Sequence, residues 1–460
     1  MNTFSANDIQ QALKPLFDKY DFVRAFYQQT SGLSVSVNPR QSLAEPVDFI
    51  RGVVVTILKD GVLYEGSTSL TGKGDLEKLV EGMQNSLQRF SFSSGRLNLS
   101  EEEPLQKHYE GVTGEDYPLE KKINTATAVL KQIQELDENV VMAQVRYKHL
   151  ITTEYYISSK KILSQSLSRF EAIFIAILKD PATGKTAQVY DGYGRQGGWE
   201  LMTPEPSLLK KMLSDGKKIL GAPRLSPGFY DCIFSPSMAG MLAHEAFGHG
   251  TEADTMVKKR ARGSEYLGKP VASEKVSLYD SPGLEGAAAS FFFDHEGQPQ
   301  SITRIVEKGI LNQPMTDHRS ASILKINRSP NGRREAFDHK IYTRMTNTYF
   351  LPGEDTLDDM IASVKEGFFV DRATNGMEDP KSWGIQLEAL YAERIKDRKL
   401  TGEVYSHVLV TGYVPDILHS ISMVSEDFEV NGLGMCGKGY KEWVKVTDGG
   451  PYLRLRARLA

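Results

Sequence analysis

Apolar positions recur every three to four residues in some stretches of the chain and every second residue in others. The two periods divide it into helices and strands. Leu76, Leu79, Val80, Met83 and Leu87 fall on one helical face within residues 74–87. Residues 1–21, 119–137 and the basic run 208–219 carry similar amphipathic spacing. Residues 49–69 read instead as two strands joined at Asp60-Gly61, a dipeptide suited to a two-residue hairpin turn. Residues 140–158 and 170–190 each read as strand–turn–strand, the latter turning at Pro181-Ala-Thr-Gly184. Helices interleaved with antiparallel hairpins define an α+β class rather than a regular βαβ alternation.

Proline-bearing turns at 203–207 (TPEPS) and 221–228 (GAPRLSPG) flank the helix 208–219 and mark a boundary. Beyond it, residues 228–234 read as a strand. Ser235-Pro236 then starts a helix, with serine as cap and proline at the first position. That helix carries Met238, Met241 and Leu242 and ends around Gly248. Short strands are expected at 288–293, 302–307, 342–350, 406–412 and 452–460. The pattern predicts two domains: an N-terminal α+β domain over 1–220 with antiparallel hairpins, and a β-rich C-terminal domain over 221–460 carrying the helix after Ser235.

Composition narrows the partners. The 460 residues are 40% hydrophobic and 25% charged, with a net charge of −4, which gives no global electrostatic reason to bind nucleic acid or an anionic membrane. The densest basic run, Lys258-Lys-Arg-Ala-Arg262, reads as a solvated loop. No apolar run approaches the length of a membrane span, and residues 1–21 lack the basic and apolar regions of a secretory signal. Two cysteines, Cys232 and Cys436, fit a reducing compartment. The expectation is a cytoplasmic protein.

Candidate chemistry concentrates in residues 242–254, LAHEAFGHGTEAD. His244 and His249 are five apart, one more than in the zinc-protease run H-E-x-x-H. On a regular helix a spacing of four separates two side chains by about 40°, and five by about 140°. Two local devices would bring the rings together: a wide i→i+5 turn, or unwinding at Gly248 with a positive φ. A catalytic site needs a third protein ligand. Cys436, set among glycines in Gly432-Leu-Gly-Met-Cys-Gly-Lys-Gly439, is the stronger candidate, with Lys438 expected to favour its thiolate. Cys232 is the rival, although its flanks read as a buried strand. Glu245 stands where a general base would take the proton of a metal-bound water, and Glu252 and Asp254 are candidate partners for the imidazoles. The plain alternative is a polar cap on a buried helix. Gly192-Tyr-Gly-Arg-Gln-Gly197 fits a dinucleotide-binding pattern but lacks the following apolar helix, and Gly184-Lys-Thr186 lacks the upstream glycine of a phosphate loop, so both are set aside. Arg344 and Asn347 either satisfy backbone groups at a seam or anchor substrate backbone.

These residues carry a resemblance. His244-Glu-Ala-Phe-Gly-His-Gly-Thr-Glu-Ala-Asp254, Asp294-His-Glu-Gly297, Ile305-Val-Glu-Lys-Gly309, Asn331-Gly-Arg-Arg334, Arg344-Met-Thr-Asn-Thr348, Pro352-Gly353-Glu354 and Met435-Cys-Gly-Lys438 occur in the order found in the TldD/PmbA family of metalloproteases. The chain resembles the metal-bearing, TldD-like branch with its H-E-x-x-x-H motif. The resemblance implies a zinc-dependent peptidase for short or unfolded peptides, with His244, His249 and Cys436 as ligands and Glu245 as base. It also implies a dimer, in particular a heterodimer with a metal-free TldE/PmbA-like paralogue. Another divalent metal such as iron remains open, although a thiolate beside two imidazoles leans to zinc. Older naming in the family supplies the alternative function, a non-catalytic modulator of DNA gyrase with a structural metal. The chain departs from the family at Gly250-Thr-Glu-Ala-Asp254, where G-L-E-G-D is usual, and at Tyr440, where glutamine is common. Ligands and base are intact.

Overall fold

In a computed structural model, residues 4–89, 97–99, 102–439 and 442–460 are described. The architecture is mixed α+β and rich in sheet. The first half builds one seven-stranded sheet from β1 (Phe22–Asn38), β2 (Gln41–Lys59), β3 (Val62–Ser69), β4 (Leu105–Tyr109), β5 (Val140–Ser158), β6 (Lys161–Lys179) and β7 (Thr186–Gln196). Its order is β3-β2-β1-β5-β6, and β4 and β7 share the outer edge of β6. The Asp60-Gly61 turn is as expected: both residues take positive φ, 52° and 71°, which a tight two-residue hairpin demands.

Four helices cover this sheet. Helices α1 (Ala6–Phe17) and α2 (Lys73–Arg89) pack on β1 and β2 through Ile9, Leu13, Leu16, Leu76 and Val80. Helices α3 (Leu119–Leu136) and α4 (Pro206–Ile219) pack on β5 to β7 through Val129, Leu130, Ile133, Leu209 and Met212. Each such side chain removed from water contributes about 1.5–3 kcal/mol.

Two expectations are corrected, and one strand went unread. Residues 140–158 form one continuous strand, because no glycine or proline interrupts them and β5 finds a partner on both edges, β1 and β6. β1 was not legible as a strand because Arg24 and Gln28 interrupt its apolar pattern. Both are buried at a seam, Arg24 on Glu296 and Gln28 accepting from the Phe337 amide. Residues 288–293 are not a strand: Ser290 N–H bonds within a turn to Ala287, and Phe292 N–H is taken by the Gln165 side chain. The glycine run 192–197 lies in β7 and the residue after it.

The second half begins with β8 (Gly228–Phe234). β8 lies in a six-stranded sheet with strands Glu366–Asp379, Gly384–Lys396, Lys399–Tyr413, Met423–Val424 and Leu453–Leu459. Val410 and Thr411 also pair with Leu459 and Arg458, so this sheet closes on itself. A third sheet contains Leu278–Asp280, Thr303–Glu307, Asn347–Phe350, Thr447–Gly450 and, at one edge, Glu429–Asn431. Helix α5 (Pro236–Ala243) sits between the two sheets, with Met238, Ala239, Leu242 and Ala243 all fully buried. It approaches strand Thr447–Gly450 so closely that a Cβ on Gly240 would meet Gly449 N at 2.8 Å. That close packing brings the end of α5 beside Asp448.

Candidate metal centre

The chain enters the site through Ser235, whose hydroxyl accepts the Met238 amide at 3.4 Å and caps α5. After Ala243 the helix widens into a single π turn over His244–Gly248, and His249 N–H bonds to His244 O. Of the two devices that would reconcile a spacing of five with one ion, the wide turn is the one used. Gly248 has φ −65° and is not left-handed. Its lack of a side chain serves packing instead, since a Cβ there would lie 2.1 Å from Met345 Sδ. The result sets the two imidazoles edge to face with centroids 5.1 Å apart.

Cys436 arrives from the opposite side on a hairpin of Met435–Lys438 paired with Glu442–Lys445. Its sulfur lies 3.3 Å from His249 Nε2. The ligand atoms of His244, His249 and Cys436 all lie within 4.8 Å of one another. Each imidazole has its other nitrogen engaged: His244 Nδ1 meets Asp448 Oδ1 at 2.8 Å, and His249 Nδ1 meets Glu252 Oε2 at 3.3 Å. Carboxylates behind both rings fix the tautomer and aim Nε2 at the cluster. Cys232 is elsewhere, fully buried in β8 with its thiol pushed up by burial.

The electrostatics match a cation site. Burial acts to raise the Cys436 thiol, but His249 and His244 outweigh it and hold the thiol well below its ordinary value. Burial opposes protonation of His249, yet the Cys436 thiolate and Glu252 push it up to about 10. His244 is also raised, against burial, by Asp448 and Cys436. The thiolate thus supplies negative charge that the imidazole protons, or a cation in their place, balance. A thiolate and two imidazoles in this geometry fit a transition metal. Lys438 does not touch the sulfur. Its ammonium meets Glu252 at 2.9 Å and Asp254 at 2.6 Å, so the thiolate is favoured by the imidazoles rather than by Lys438 as expected.

Glu245, 7% exposed, faces the strand Glu366–Asp379, where the missing Cβ of Gly376 leaves room for its carboxyl. Burial pushes that carboxyl up. Of the two roles open to Arg344 and Asn347, both residues fill the first, bonding to groups inside the protein. Arg344 is 1% exposed and donates to Cys436 O and Glu442 O, while Asn347, fully buried, donates to Ser281 O and Ser290 Oγ. Sequence reasoning missed Asp448, because an Asp-Gly-Gly run far from the histidines carries no spacing signal.

Residues 227–458 match the family described as PmbA/TldA metallopeptidase C-terminal domain. The chain is 26% identical over 416 residues to a Haemophilus influenzae protein named metalloprotease TldD homolog, covering 88% of this chain and 85% of that one. It is 25% identical over 347 residues to a Saccharolobus solfataricus protein named zinc metalloprotease TldD homolog, covering 73% and 75%. In fold it is similar to TldE from Thermococcus kodakarensis, with TM-score 0.76 and 16% identity over 98% of this chain and 100% of that one. A Thermotoga maritima protein described as a candidate modulator of DNA gyrase superimposes with TM-score 0.78 at 18% identity, covering 99% and 100%.

Proposed function

The chain belongs to the TldD/PmbA metallopeptidase family, and from that premise we propose that it is a zinc-dependent peptidase of the H-E-x-x-x-H type acting on short or unfolded peptides. His244, His249 and Cys436 hold the ion, and Glu245 is the general base. The observation that carries this reading is the convergence of three ligand atoms within 4.8 Å beside a buried glutamate. The ion, when bound, supplies Lewis acidity that lowers the pKa of a water and polarises the scissile carbonyl. Glu245 takes the proton of the attacking water on a carboxylate oxygen and passes it to the departing amine. A carboxyl raised by burial is better matched to both transfers than an exposed one. Asp448 and Glu252 hold the imidazoles in register.

An extended peptide suits the exposed edge strand Glu429–Asn431, whose Asn431 lies in register with Asp448. Pairing there would read backbone rather than side chains, which fits unfolded substrates of varied sequence. The fold likeness to TldE supports a heterodimer with a metal-free paralogue. Two free thiols and no helix long and apolar enough to cross a membrane, among the described residues, are in keeping with a cytoplasmic setting.

The test is Glu245→Gln in the metal-loaded protein, alone and with the paralogue. Peptide cleavage is lost while zinc stays near stoichiometric. Unchanged cleavage removes Glu245 from the mechanism. No hydrolysis by wild type, with chelation lowering only stability, supports the non-catalytic alternative.

A further inference from the structure

The cysteine hairpin is a two-stranded sheet of its own and extends neither of the larger sheets beside it. An isolated hairpin is marginal by itself, so its position depends on what grips it. Val444, paired with Cys436 and 4% exposed, anchors it to the apolar core. Polar contacts supply the rest. On the second strand Trp443 N–H donates to Glu335 Oε2, Arg333 donates to Lys445 O and Lys445 pairs with Glu171, and two cations hold the cysteine strand. Arg344 reaches both strands, donating to Cys436 O at 2.6 Å and to Glu442 O at 3.2 Å. Lys438, two residues after the cysteine, donates to Glu252 Oε2 at 2.9 Å, Asp254 Oδ1 at 2.6 Å and Thr343 O at 3.1 Å. Two of these bonds enter the segment that follows the histidines, the third goes to the Thr343 carbonyl, and none goes to the sulfur.

Glu252 is where the two halves of the site meet. Its Oε2 serves His249 Nδ1 as well as Lys438 Nζ, and its Oε1 faces Arg344 Nε at 3.6 Å. One carboxylate thus orients a histidine ligand and moors the hairpin that carries the cysteine ligand. We infer that Lys438 is a positioning residue: through Glu252 it docks the thiolate hairpin onto the histidine turn, and so sets how tightly the metal is held without contacting it. This rests on the metal-site reading above. Asp254 serves as the internal control. It binds the same ammonium at 2.6 Å but touches no metal ligand. Neutralising Asp254 leaves the Lys438–Glu252–His249 chain whole, whereas removing the ammonium breaks it.

The experiment compares Lys438→Met, Asp254→Asn and the double variant Lys438→Met/Asp254→Asn in the full chain. The double variant removes the uncompensated carboxylate that threatens folding when Lys438 alone is lost. Zinc affinity is measured by competition with a chromophoric chelator. Cobalt(II) is then substituted and its thiolate charge-transfer band recorded, which reports sulfur coordination independently of peptidase activity. Both variants lacking Lys438 are expected to bind zinc ~10–100-fold more weakly, the range usual for loss of a residue supporting a ligand, with a diminished thiolate band. Asp254→Asn stays within about threefold of wild type. Unchanged affinity without Lys438, or an equal loss in Asp254→Asn, overturns the positioning role. Failure of wild type to bind either metal overturns the metal-site reading itself.

Discussion

Replacing Gly248 with alanine sets two effects against each other, and the structure decides between them. In a helical segment, glycine to alanine removes backbone freedom from the unfolded chain and stabilises by about 0.8–1 kcal/mol. Gly248 has ordinary helical φ, so no strain opposes alanine there. The opposing effect is steric. The new methyl would fall 2.1 Å from Met345 Sδ and 3.2 Å from its Cε, against a normal contact of about 3.5–4.0 Å. Met345 is fully buried, so its sulfur has no solvent to swing into. Overpacking of this kind costs about 1–3 kcal/mol, and the net expectation is a loss of about 0–2 kcal/mol. The sharper quantity is the coupling. Met345→Ala alone opens a cavity costing about 2–5 kcal/mol. In that background the Gly248 methyl meets no sulfur and partly fills the void, so Gly248→Ala becomes stabilising by up to about 1 kcal/mol. The double-mutant cycle should close with a favourable coupling of about 1–3 kcal/mol. Urea unfolding of the metal-free protein in chelator measures all four corners. Gly248→Ala having the same effect in both backgrounds would refute the claim that this glycine exists to admit Met345.

Acid sensitivity and the choice of cysteine are also testable. Burial and the nearby Arg328 push His318 down to about 2, so the folded protein keeps it neutral while the unfolded chain protonates it below about pH 6.5. Its contribution therefore falls with pH through that window, and the stability advantage of wild type over His318→Asn should shrink by about 1.3 kcal/mol between pH 7 and 5.5. A constant difference across that range would show that His318 titrates normally in the fold. Cys436→Ser should lose tight zinc binding, while Cys232→Ser, whose site is in β8 away from both imidazoles, should keep stoichiometric metal. The reverse pattern would reassign the third ligand.

Elements with a regular period were legible in the sequence, and those that depend on distant partners were not. Helices α2 and α4, the Asp60-Gly61 turn and the start of α5 follow from local spacing and capping. β1 was hidden because Arg24 and Gln28 face a polar seam rather than apolar core. At the site, the five-residue histidine spacing pointed to two possible geometries, but only the packing of Met345 over Gly248 and the π turn distinguish them. The glycine-flanked cysteine was visible in the sequence. Asp448, which orients His244, was not, because its position is fixed by strand Thr447–Gly450 packing on α5. Arg344 was noticed for the right reason, a polar residue satisfying backbone groups at a seam, but that the seam is the cysteine hairpin was not legible.

X-ray absorption at the zinc edge of the loaded protein tests the central claim most directly. The account predicts one sulfur at about 2.3 Å and two imidazole nitrogens at about 2.0–2.1 Å around the ion, with the sulfur shell lost in Cys436→Ser. A first shell made only of nitrogen and oxygen in the wild-type protein would contradict it.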